Sequence, residues 1–63
     1  MTTNKMLTPA EVAERMGVTT RSLYTYRQEG TGPTYIQYSL QAIRYPENEL
    51  NEWMNARTVK AGA

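Results

Sequence analysis

Two stretches of this chain open on a threonine and close on a glycine, Thr8 to Gly17 and Thr19 to Gly30, and only Val18 separates them. A threonine hydroxyl accepts a hydrogen bond from a free N–H at a helix start, and glycine enters the left-handed conformation that ends a helix at little cost. In Thr8-Pro9-Ala10-Glu11, proline takes the first helical position and a glutamate sits three residues after the cap, which predicts a reciprocal capping box. Ala10, Val12, Ala13 and Met16 then form an apolar stripe, and Glu11, Glu14 and Arg15 are left for solvent. The second stretch predicts a helix from Thr20 to Glu29, with Leu23, Tyr26 and Val18 facing the core. Thr20, Arg21, Tyr24, Thr25 and Gln28 then lie on its open face, and Ser22 can bond back to Thr19.

Two short helices joined by a tight turn containing glycine match the helix-turn-helix motif, whose first helix braces the second against DNA. Thr31-Gly32-Pro33-Thr34 ends the second helix. The following residues predict a short hairpin, with Tyr35, Ile36, Gln37 and Tyr38 on one arm, Ser39 to Ala42 as the loop, and Ile43, Arg44 and Tyr45 on the other. With Ile36 and Ile43 placed inward, Gln37 and Arg44 are expected together on the outer face. Pro46 opens a third helix that carries Glu47 and Glu49 in its first turn and Arg57 in its last, as the helix dipole favours. Leu50, Trp53 and Met54 supply its buried stripe. The expected fold is mainly α with a small β-hairpin: a winged helix-turn-helix of three helices plus wing over residues 6–57, followed by a flexible tail at 58–63.

Histidine and cysteine are both absent, so the common metal ligands, thiol nucleophiles and the usual proton-transfer side chain are missing. The six glutamates fall on outer helix faces and do not pair as an acid and base, so no enzyme activity and no cofactor or metal are expected. No stretch approaches the roughly 20 apolar residues of a membrane span, and Met1 to Lys5 lacks a signal-peptide core, which predicts a cytoplasmic location. The net charge is only +1, so affinity for nucleic acid depends on where the cations sit. Residues 18–45 carry Arg21, Arg27 and Arg44 against Glu29, whereas residues 46–63 carry three glutamates against Arg57 and Lys60. This asymmetry turns the second helix and the hairpin toward phosphates.

The run Leu7-Thr8-Pro9-Ala10-Glu11-Val12-Ala13-Glu14-Arg15-Met16-Gly17-Val18-Thr19, then Leu23-Tyr24, Tyr26, Glu29-Gly30, Ile43-Arg44-Tyr45, Leu50 and Trp53, resembles the small MerR-like winged-helix proteins of the phage excisionase family. The short acidic third helix looks like that of mycobacteriophage excisionases. The resemblance implies a recombination directionality factor that binds double-stranded DNA beside an attachment-site core in the bacterial host. It would bend that DNA, associate with further copies of itself on it, and work with a tyrosine-type integrase. The same domain also occurs in small transcription regulators. Where relatives carry a glycine-rich wing tip followed by several basic residues, this chain has Ser39-Leu40-Gln41-Ala42 and Arg44 alone, so its wing contacts are expected to be fewer and more polar. Arg27 stands where relatives often carry an aliphatic residue and is expected to face solvent.

Arg21 projects from the first turn of the second helix, the part of such a helix that meets base edges, where a bidentate contact to guanine is worth about 1–3 kcal/mol of discrimination. Thr20, Ser22, Thr25 and Gln28 can donate to phosphates or base edges, and the Tyr24 ring can lie along the sugar-phosphate chain or cover the edge of the core. In the wing, Arg44 suits a minor groove or a phosphate, with Gln37, Ser39 and Gln41 as companions. Tyr35, Tyr38 and Tyr45 are expected to pack the wing. A rival reading makes Tyr24, Tyr35 and Tyr38 a surface for a protein partner.

Overall fold

The computed structural model describes residues 4–59. Along the chain run β1 (Met6–Leu7), α1 (Pro9–Met16), α2 (Thr20–Glu29), β2 (Ile36–Gln37), β3 (Ile43–Pro46) and α3 (Glu47–Ala56). Three helices and a small antiparallel sheet, ordered β1-β3-β2, make a winged helix-turn-helix. Residues 60–63 of the expected tail, and residues 1–3 of the polar start, lie outside the described residues; Thr58 and Val59 are exposed.

Both helix-turn-helix elements begin and end where the sequence predicts. At α1 the Thr8 Oγ1 accepts from the Glu11 N–H at 3.2 Å, and the Glu11 carboxylate accepts from the Thr8 N–H at 2.9 Å. The Thr8 hydroxyl also donates to that carboxylate at 3.2 Å, and the bonds it accepts, from the Thr8 N–H first and the hydroxyl second, hold the Glu11 carboxyl below its ordinary pKa of 4.5. Gly17 ends α1 at φ 71°, a left-handed conformation that a side chain would strain, and the chain turns through Val18 into α2. Thr19 Oγ1 accepts from the Ser22 N–H at 3.1 Å, and Gly30 closes α2.

The core consists of Leu7, Val12, Ala13, Leu23, Ile43, Tyr45 and Leu50, with Met16, Val18, Tyr26, Tyr35 and Met54 packed at its edges. Leu23 and Tyr26 thus face inward as their spacing predicts. Trp53 is only half-buried; the Arg57 guanidinium lies 4.0 Å from its ring centroid and donates to its carbonyl at 3.2 Å. Among the described residues, no helix is long and apolar enough to cross a membrane.

The sheet departs from the sequence reading in two respects. Met6–Leu7 forms a strand that no local pattern announces, pairing Leu7 with Tyr45 and making β3 the central strand. In the hairpin, Ile36 pairs with Arg44 and Gln37 with Ile43. Directly paired residues share a face, so Gln37 and Arg44 lie on opposite faces, contrary to expectation. The cause is the turn: the Tyr38 N–H donates to the Ala42 carbonyl at 2.9 Å, so the loop is residues 39–41 and not the expected Ser39 to Ala42, and the register shifts by one. Ile43 and Tyr45 claim the inner face, and Ile36 goes outward with Arg44. The α3 helix also starts one residue later than predicted, with Pro46 as the last residue of β3 and the N-cap of the helix.

Candidate nucleic-acid interface

At 100° per residue, Thr20, Tyr24, Gln28, Arg21 and Thr25 occupy an arc of about 140° around α2. All five are exposed, and the opposite side of the helix is anchored by the fully buried Leu23. Ser22 falls outside that arc. It is half-buried and its hydroxyl shares a hydrogen bond of 3.1 Å with Thr19 Oγ1, so it serves the cap. The Thr25 hydroxyl donates to the Arg21 carbonyl at 3.3 Å, back onto its own helix. Tyr24 is 54% exposed.

The electrostatics of this surface follow from where carboxylates are missing. The first turn of α1 holds Glu11 and that of α3 holds Glu47 and Glu49, whereas the first turn of α2 holds no acid. The partial positive charge of its unpaired N–H groups is therefore uncompensated, beside Arg21. Among the described residues the one ion pair joins Arg15 to Glu47 at 2.7 Å, so no carboxylate neutralises Arg21 or Arg44. No acidic residue occurs from Gly30 to Pro46.

Of the wing residues, Gln37, Ser39 and Gln41 are exposed and Arg44 is half-buried, its Nη1 donating to the Ile43 carbonyl at 2.7 Å. By register Arg44 shares the outer face with Ile36, its partner on β2. The tip presents Leu40, 89% exposed, and the flanking Tyr38 is 65% exposed. Tyr38 therefore does not pack the wing as its neighbours do. Tyr35 and Tyr45 pair on the inner face, with ring centroids 6.0 Å apart.

Arg27 overturns a second expectation. It is half-buried, and its Nη1 donates to the Tyr45 hydroxyl at 2.8 Å. Its guanidinium carbon lies 5.7 Å from the Tyr24 ring centroid and 5.8 Å from that of Tyr35. Three aromatic rings thus hold a cation that composition alone assigns to the phosphate-facing charge. No signal local to α2 predicts this, because the hydrogen-bond partner lies 18 residues downstream.

A family model described as a helix-turn-helix domain matches residues 6–58, all but the two ends of the chain. The chain belongs to the helix-turn-helix domain family. This family includes excisionase-like DNA-binding proteins, and membership indicates DNA binding. No curated protein and no solved structure matches the chain.

Proposed function

We propose that this helix-turn-helix protein is an excisionase, a non-enzymatic recombination directionality factor acting in the cytoplasm of a bacterial host. The observation that carries the reading is the exposed, carboxylate-free face of α2, with unpaired Arg21 at its start and α1 bracing its far side. Arg21, Thr20, Tyr24, Thr25 and Gln28 enter a major groove, with Ser22 supporting the cap beneath them. Arg44, Gln37, Ser39 and Gln41 approach the adjacent minor groove. No cofactor takes part.

Affinity for one site is modest. With Arg27 held by tyrosines, Arg21 and Arg44 are the cations left to this surface, Arg44 keeping one guanidinium N–H on the Ile43 carbonyl, so few phosphates are neutralised by one copy and its affinity falls as salt rises. Occupancy is then raised by neighbouring copies on repeated sites, and wing insertion at a regular phase bends the duplex. Such bent DNA is what a tyrosine-type integrase needs to run excision.

Footprinting on the attachment-region DNA of the encoding phage tests this, together with an excision assay using the cognate integrase. Repeated protected sites are expected. Arg21→Ala should weaken them about 5- to 150-fold, the value of one good arginine–base contact. Arg44→Ala should reduce both binding and bending, with each variant folded. A single site overlapping a promoter, with excision unaffected by the protein, would replace this reading with a transcription regulator.

A further inference from the structure

We propose that Arg27 is a positioning residue that locks the wing to α2, and so fixes the separation between Arg21 and Arg44. The proposal rests on the DNA-binding reading and adds to it a residue outside the DNA-facing surface. Counted around α2 from Thr20, Arg27 sits about 20° short of the exposed arc, at the seam between that arc and buried Leu23. From this seam it reaches three separate segments: Tyr24 on its own helix, Tyr35 on the approach to β2, and Tyr45 in the middle of β3.

The choice of partner gives the contact its leverage. Tyr45 is 1% exposed, and its ring is fixed by the core, so its hydroxyl is a stationary acceptor. Arg44 is the residue before it on the same strand and points to the other face. A guanidinium bonded to Tyr45 therefore ties the α2 backbone to the strand that carries Arg44. The link is reinforced where the chain leaves α2: Gly32 approaches Tyr26 so closely that a Cβ there would lie 2.7 Å from the Tyr26 Cβ, and Pro33 is buried. The turn that leads into the wing is thus held against α2 as well. Because interactions holding two contacts at a set spacing lower the entropy lost on binding, the clamp acts on a duplex that engages both grooves.

Two variants separate this role from a phosphate contact. Arg27→Met keeps the length and apolar stem, and Tyr45→Phe removes only the acceptor hydroxyl. Each, and the double variant, is assayed for thermal unfolding without DNA and for binding to the duplex that the wild-type chain selects from a random pool. Binding is measured at full length and on a duplex trimmed to remove the wing's groove. We expect both single variants to bind the full duplex several-fold more weakly, with an unchanged salt slope and near wild-type binding to the trimmed duplex. The double variant should be no worse than either single one, and the unfolding shifts should likewise be non-additive. A role in stability alone would weaken both duplexes equally or neither. If Arg27→Met reduces the salt slope by about one and Tyr45→Phe is silent, Arg27 touches phosphate and the clamp is refuted. Additive losses, or wild-type binding by both variants, refute it as well. If the wild-type chain selects no duplex, the DNA-binding reading fails with it, and non-additive unfolding then identifies the contact as a fold clamp only.

Discussion

Replacing Gly32 with alanine inserts one methyl group where the turn after α2 lies against Tyr26. The added Cβ would stand 2.7 Å from the Tyr26 Cβ and 3.4 Å from its Cγ, whereas carbon atoms in ordinary contact are about 3.5–4.0 Å apart. Rotating the tyrosine gives no relief, because its Cβ is fixed to the helix backbone. The turn or the helix must therefore shift by about 1 Å, and overpacking of this kind costs about 1–3 kcal/mol. Alanine also restricts the unfolded chain, which returns about 0.4–1 kcal/mol. The net loss is about 1.5 kcal/mol, and for a domain of this size that lowers Tm by roughly 6–12 °C. Circular dichroism during heating reads the shift, with Gly17→Ala as the comparison. Gly17 has open space around it, so its substitution costs about 1–2 kcal/mol through left-handed strain alone. Only Gly32→Ala should, in addition, displace the wing and weaken binding to a duplex spanning both grooves. A Tm for Gly32→Ala equal to or above that of the wild type would refute the close approach, since an uncrowded alanine is stabilising.

Removing the cap of α2 with Thr19→Ala leaves the Ser22 N–H without its acceptor and should cost about 1 kcal/mol, measured by urea unfolding. The depressed pKa of Glu11 means that its contribution to stability is fully present above its ordinary value of 4.5 and is lost as the pH falls through the lower folded value. Glu11→Gln should accordingly flatten the decline of Tm below pH 4.5, and an unchanged acid limb would contradict the capping box. Leu40→Ser alters a side chain that is 89% exposed and should move stability by less than about 0.5 kcal/mol; a larger loss would place the wing tip in the core.

The elements that were legible in the sequence are those specified by nearest neighbours. Thr8 with Glu11, Thr19 with Ser22 and the two closing glycines act across three or four residues, so α1 and α2 read directly from their ends. The exposed arc of α2 is legible for the same reason, being a consequence of helical period once Leu23 is buried. What escaped the sequence is set across the chain. A two-residue strand at Met6–Leu7 exists only because β3 offers an edge, and no alternation can show in two residues. The hairpin offered two isoleucines that fit one face equally well, and the shorter turn at residues 39–41 put them on different ones. Arg27 looked like a solvent cation because the tyrosines that enclose it stand on three segments.

The same long-range dependence governs the start of α3. Pro46 offers no side-chain cap, and the first two helical N–H groups are taken instead by the Lys5 carbonyl at 2.8 Å and the Asn4 Oδ1 at 3.1 Å. A helix terminated by residues more than forty positions upstream cannot be completed by local ordering, because the intervening chain must first close into a loop. The α1 and α2 helices carry their own N-caps, whereas the first N–H groups of α3 are satisfied only with residues 4 and 5 in place. Shortening the chain from its front would therefore fray a helix near its back.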